Sequence, residues 1–139
     1  MSSFHHTRKK APGLTAWFGL CLCLLLLPAH GVLGFAGGDG SAGNPYLVAT
    51  AEHLDAVRDH PGACFELTAD IDLGVVPWND GSGWTPIGSV DRRFRGALDG
   101  AGFVIRNLTC NRPGATYQGL FGLVSEATIR RLRLENAQV

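Results

Sequence analysis

The side chains able to do chemistry in this sequence are few and thinly spread. Asp70 and Asp72 stand two apart in Leu67-Thr-Ala-Asp70-Ile71-Asp72-Leu73. On a continuous strand such positions share one face. Two carboxylates there could divide acid–base work or hold a calcium ion. Ile71 and Leu73 claim the buried face, however, which leaves one aspartate to end a turn and the other to face water. Asn79-Asp80-Gly81-Ser82-Gly83 has the look of a calcium loop, but the twelfth position counted from Asn79 is Val90 rather than the glutamate an EF-hand requires. It reads as a turn. Trp78 and Trp84 flank it, and exposed tryptophans could stack on sugar rings while buried ones could plug a core. Trp84 leads into Pro86-Ile87 and is assigned to the plug; Trp78 is left open.

Other reactive groups form no set. Past residue 34 the histidines are His53 and His60, and the cysteines are Cys64 and Cys110. The chain contains no H-E-x-x-H, no G-x-S-x-G and no Cys/His grouping at metal spacing. Gly38-Asp39-Gly40-Ser41-Ala42-Gly43 fits G-x-G-x-x-G, yet a dinucleotide loop must follow a strand and open a helix, and here Asn44-Pro45 follows. We read no catalytic residue, no cofactor site and no metal site. Asn107-Leu108-Thr109 matches a glycosylation sequon.

Length and charge bound the rest. The chain has 139 residues, enough for one domain. Arg8-Lys9-Lys10, the apolar run Leu14 to Leu27 and the small-residue stretch Val32-Leu33-Gly34 read as a secretory signal peptide over 1–34. The run is shorter than the ~20 residues that span a bilayer, so membrane contact is expected only through this cleaved segment. Removing Arg8, Lys9 and Lys10 from twelve basic residues leaves nine arginines against twelve carboxylates, a formal charge of −3. Arg92-Arg93-Arg95 and Arg130-Arg131-Arg133 are too short to clamp nucleic acid and read as solvated faces. We expect no nucleic-acid partner.

The elements that must position these residues are short. Residues 35–44 are glycine-rich and read as a flexible linker. Tyr46 to Val48 is a strand candidate. Thr50 suits an N-cap, and Ala51, Leu54 and Val57 give one apolar helical face ending by His60, before Pro61-Gly62. A lone amphipathic helix ahead of strands serves as a cap over an open sheet edge. Cys64 to Leu67 and Ile71 to Leu73 read as strands bent at Thr68-Ala69-Asp70. Strand alternation then turns Cys64 outward and Cys110 inward, with no disulfide between them; a bend at Pro61-Gly62 that rotated Cys64 would permit one.

From Phe94 to Leu134 one pattern is written twice. Phe94-Arg-Gly-Ala-Leu98, Asp99-Gly100-Ala101-Gly102 and Ile105-Arg-Asn-Leu108-Thr-Cys110 are followed by Gly119-Leu120-Phe121-Gly122, Ser125-Glu126-Ala127 and Ile129-Arg-Arg-Leu132-Arg-Leu134. Ile105, Leu108 and Cys110 thus recur 24 residues later as Ile129, Leu132 and Leu134. Short β-type runs at a fixed spacing, broken by glycine turns, predict coils that bury their apolar side only by stacking. On this reading Ile105 stacks on Ile129 and Leu108 on Leu132.

Gly119-Leu120-Phe121-Gly122 resembles the core of the GLUG motif of bacterial surface and secreted proteins, including filamentous-haemagglutinin-type adhesins and the upstream regions of immunoglobulin-cleaving metallopeptidases. Asn44 to Val48 with Thr50 to Leu54, Leu67 to Leu73, Trp84-Thr85-Pro86-Ile87-Gly88 and Leu98 to Gly102 are similar to other parts of such regions, in the same order. The resemblance runs from Phe35 to Val139. It implies an all-β fold, a right-handed parallel β-helix of the pectin-lyase-like kind with one short N-terminal capping helix, occupying 45–139 and continuing beyond Val139. Together with the signal peptide, the repeat scaffold and the absence of a catalytic set, it leads us to expect a secreted or cell-surface adhesion or scaffold module without enzymatic activity, with a host or cell-surface protein or a glycan as partner. The alternative is the front of an exported enzyme, a metallopeptidase or carbohydrate-active β-helix, whose catalytic part lies outside this chain.

Overall fold

The computed structural model describes residues 34–139, and the signal peptide expected over 1–34 lies, but for Gly34, outside the described residues. The fold is all-β apart from one short helix. The strands are β1 (Tyr46–Val48), β2 (Cys64–Leu67), β3 (Ile71–Asp72), β4 (Ala97–Asp99), β5 (Val104–Arg106), β6 (Thr128–Arg130) and β7 (Arg133–Glu135). They form two sheets in which every pairing is parallel, ordered β1-β2-β4-β6 and β3-β5-β7. The chain therefore makes repeated passes, and the second to fourth each give one strand to either sheet. Isolated parallel bridges, Ile87 with Phe121, Phe94 with Val124 and Thr109 with Gln138, continue the pairing along the connections.

Each strand is only two to four residues long, so its stability comes from the inward side chains. Phe65, Leu98 and Ile129 occupy matching positions of one sheet, and Ile71, Ile105 and Leu134 of the other. Those of the inner passes are buried at 2% exposure or less. Burying one such side chain contributes roughly 1.5–3 kcal/mol. The aromatic rings follow the same logic: Phe65 lies 6.2 Å from Phe94, and Phe94 5.0 Å from Phe121, between centroids.

This register corrects the one expected from the sequence. Ile129 pairs with Leu98 rather than Ile105, and Ile105 pairs with Leu134. The repeat is about thirty residues and not 24. The cause is that every side of a pass carries its own apolar residues, and the turns differ in length. Gly100 to Phe103 separates β4 from β5, whereas only Arg131-Leu132 separates β6 from β7. The triple Ile129, Leu132, Leu134 therefore resembles Ile105, Leu108, Cys110 in spacing while lying on different strands.

The capping helix α1 (Ala51–Ala56) is followed by a 3-10 turn, Val57–Asp59. The Thr50 hydroxyl accepts from the His53 N–H at 3.2 Å, as an N-cap should, and Ala51, Leu54 and Val57 are buried. Arg58 staples the cap to the body: it donates to the Thr85 carbonyl at 2.9 Å and sits over the Trp84 ring at 5.4 Å.

The segment expected as a flexible linker is instead bonded into the sheet end. Ala36 donates to the Leu47 carbonyl, Leu47 to that of Gly37 and Cys64 to that of Gly40. Phe35 stacks on Tyr46 at 4.4 Å. Its glycines allow this close approach, since a Cβ on Gly38 would overlap the Pro45 carbonyl.

Candidate functional site

The residues singled out in the sequence meet across passes, and what they make is mostly backbone contact. The Gly119–Gly122 turn lies directly on Trp84–Gly88. Ile87 donates to the Leu120 carbonyl at 2.9 Å, Gly122 to that of Ile87 at 2.8 Å and Leu123 to that of Gly88 at 3.1 Å. Trp84, 1% exposed, fills the interior below, and its indole N–H donates to the Leu120 carbonyl at 3.1 Å. Its expected role as plug is met; Trp78 packs against it at 5.6 Å. A Cβ on Gly122 would stand 2.6 Å from the Gly88 oxygen, so the glycine is set by proximity. Leu120 is buried and Phe121 half-buried.

Asp99 opens the Asp99-Gly100-Ala101-Gly102 turn and is the sole buried charged residue among the described residues, at 6% exposure. It accepts from the Ala101 N–H at 2.9 Å and from Arg131 Nε at 2.8 Å, and it forms an ion pair with Arg130 Nη2 at 2.8 Å. The Arg131 hydrogen bond leads in holding its carboxyl far below the usual carboxylate range. Gly100 donates to the Arg130 carbonyl at 2.8 Å, and a Cβ there would overlap the Arg131 oxygen.

Two further ladders climb the second sheet. Arg106 Nη1 meets Asp70 Oδ2 at 3.0 Å and Arg106 Nε meets Glu135 Oε2 at 3.1 Å. Beside them Asn107 Nδ2 donates to Asp72 at 2.8 Å, and Asn136 Nδ2 to Asn107 Oδ1 at 3.4 Å. Asn107 and Asn136 share the left-handed backbone, φ 58° and 53°, which asparagine tolerates better than most residues. Asp70 and Asp72 thus belong to separate ladders. Both are held below the ordinary carboxylate range, Asp70 chiefly by the Val104 N–H and Asp72 chiefly by the Asn107 amide. Neither is poised to give up a proton near neutrality.

The remaining candidates fall in structural places. His53 Nδ1 accepts from the Ala49 N–H, and His60 stands at the edge of the Phe35 and Tyr46 rings. Cys110 is buried and Cys64 half-buried, both free thiols, with the facing expected. No group of three or more His, Cys, Asp and Glu side chains suited to a metal occurs among the described residues. Leu108 is buried and Leu132 half-buried. Two of the open depressions on the described surface adjoin these residues. One of about 470 Å³ lies on the first sheet over Cys64, Ala97 and Thr128, beside Glu66, Asp99 and Arg130. The other, about 500 Å³, follows the amides of Asn79, Asn107, Asn136 and Gln138.

Sequence reasoning missed the ladders. A signal was present: Ile105-Arg106-Asn107 and Leu134-Glu135-Asn136 each set an apolar residue, a charge and an asparagine in a row, at the true register.

No protein-family model matches the chain, and no solved structure does. Two curated proteins are similar to part of it. A protein named as a Gly-rich membrane protein, from Evansella cellulosilytica, is 45% identical over 103 residues, covering 72% of this chain and 12% of that protein. Halomucin of Haloquadratum walsbyi is 38% identical over 112 residues, covering 73% of this chain and 1% of that protein. The chain thus spans a small fraction of either relative's length. No helix among the described residues is long and apolar enough to cross a membrane.

Proposed function

We propose that residues 35–139 form a right-handed parallel β-helix module, exported and displayed at or beyond the cell surface, that acts as a non-enzymatic adhesion or scaffold element. The observation that carries this reading is the pair of all-parallel sheets that share successive passes of one chain. The right-handed crossover rule for parallel strands supplies the hand, and the Gly119–Gly122 turn serves as a GLUG-type corner. The motif carboxylates spend their oxygens on neighbouring coils, which fits a scaffold. Export fits the amino-terminal signal pattern and the name of one relative as a membrane protein. The partner class is a cell-surface protein or glycan.

The test has two parts. The full chain, expressed in a secreting bacterium, is followed by fractionation and surface protease treatment; retention inside the cell sinks the localisation. The exported protein is then immobilised and probed with glycan arrays and cell-surface extracts; turnover of a peptide or glycan substrate, in place of binding, sinks the non-enzymatic reading.

A further inference from the structure

The third pass turns a basic corner outward that its own chain leaves unused. Phe94 is fully buried and bridges Val124. Its N–H donates to the Leu123 carbonyl and its carbonyl accepts from Ser125, while the Arg95 N–H donates to the Pro61 carbonyl at 2.7 Å. The backbone of Arg93-Phe94-Arg95 is thus extended and held from the passes on both sides. Alternation sends the exposed Arg93 and Arg95 out on one face, about 6.6 Å apart at their Cα atoms. With Pro61, Gly62, Asp91 and Arg92 they border an open depression of about 320 Å³.

Every other arginine past residue 34 donates to, or pairs with, a carboxylate or carbonyl of its own chain. Among the described residues the Arg93 and Arg95 guanidinium groups do neither, and the neighbouring Arg92 reaches the Asp59 carboxylate only at 3.9 Å. Asp91, the one carboxylate at the rim, forms no ion pair with them. Unspent guanidinium groups on a fixed backbone make an anion-binding face, because their planar fork matches a carboxylate.

We propose that this corner docks an extended acidic segment of a partner protein, one whose carboxylates stand at alternate positions. The inference rests on the reading of the module as an exported binding element and adds the partner's chemistry. Spacing carries it. Side chains two apart on an extended segment repeat at the same distance of about 6.6 Å, so its outward carboxylates meet Arg93 and Arg95 one to one. A second copy of the chain does not supply such a segment. Asp70 and Asp72 are the only carboxylates two apart in the sequence, and both are engaged, by Arg106 and Asn107.

The exported full chain, labelled with nitrogen-15, is titrated with the peptide Asp-Thr-Asp-Thr-Asp-Thr and with its block isomer Asp-Asp-Asp-Thr-Thr-Thr, following the arginine Nε–H signals by NMR. We expect the Arg93 and Arg95 signals to shift most and the alternating peptide to bind about threefold more tightly than the block isomer. Arg93→Gln and Arg95→Gln should each weaken it about threefold, and Arg133→Gln, the same change of charge elsewhere, by less than about 1.5-fold. Unmoved Arg93 and Arg95 signals, or an equal loss in all three variants, overturn the site. Equal affinity for the two peptides overturns the spacing rule. Tighter binding of oligogalacturonate or of phosphatidylglycerol vesicles at these arginines makes the partner a glycan or a lipid surface, which also overturns the proposal. Binding of cell-surface extracts that both Arg93→Gln and Arg95→Gln leave unchanged defeats this proposal alone. Cleavage of the peptide defeats the non-enzymatic reading on which it rests.

Discussion

Arg131 reaches back across one coil to Asp99, its Nε 2.8 Å from Oδ1, and so ties the turn after β6 to the turn after β4. The arginine is mostly exposed while the carboxylate is buried, so removing the cation strands a charge, whereas neutralising the carboxylate strands nothing of equal cost. Arg131→Ala should therefore destabilise the fold by about 2 kcal/mol, with Arg130 retaining part of the pairing. Chemical denaturation of wild type and variant measures it; indistinguishable midpoints would remove Asp99 from the account of what fixes the register.

The pH dependence follows with a definite sign. Asp99 has a folded pKa depressed below its unfolded value, near 3.9 for a free aspartate. Its stabilising contribution is fully present above that unfolded value and is lost as pH falls toward the folded one. An acid titration followed by circular dichroism should find wild type losing stability below about pH 4, and Asp99→Asn losing less over the same range. Parallel acid curves for the two proteins would contradict the assignment.

Glycines at coil contacts and glycines in open loops should respond differently to a methyl group. A Cβ on Gly100 meets the Arg131 carbonyl, while one on Gly62 meets nothing within 4 Å. Gly100→Ala is expected to cost at least about 2 kcal/mol through displaced backbone, and Gly62→Ala to stay within about 0.5 kcal/mol of wild type. Thermal melts of the pair decide it, and an equally tolerant Gly100 would mean that the coils do not approach as described.

The corrected register makes a contrast between two apolar positions of one column. Leu98 is fully buried and Ile129 is 38% exposed. Leu98→Asp should prevent folding by burying an unpaired charge, whereas Ile129→Asp should cost no more than about 1 kcal/mol. Solubility and far-ultraviolet dichroism of the two variants check this; a severe loss at Ile129 would restore the register expected from the sequence.

Thiol reactivity reports the facing of the strands. Alkylation of the folded protein, mapped by mass spectrometry, should label Cys64 and spare Cys110 until denaturant is added. Early labelling of Cys110, or a Cys64–Cys110 linked peptide, would be the opposite result.

Much of the fold was legible locally. Thr50 and the spacing of Ala51, Leu54 and Val57 specified the cap, and alternation in Cys64–Leu67 specified which side chains point in. Trp84 was legible as a plug because Pro86-Ile87 follow it. The register was not, because apolar residues recur on every side of a coil and a turn can change length at little cost. The ladders were hidden for a related reason: Asp99 and Arg131, or Asp72 and Asn107, become neighbours only once that register is known. Residues 35–44 misled because glycine gives the same signal whether it loosens a chain or lets two backbones touch.

The amide ladder bears on the timing of any sugar transfer to the Asn107-Leu108-Thr109 sequon. Glycosylation needs the Asn107 side-chain nitrogen, and in the folded chain that nitrogen already donates to Asp72 while the oxygen receives Asn136. A transferase meeting the finished protein would find its acceptor nitrogen already engaged in a hydrogen bond between passes. One acting earlier would place a glycan on the nitrogen that faces Asp72, so at this position modification competes with the bond that ties Asn107 to the pass before it.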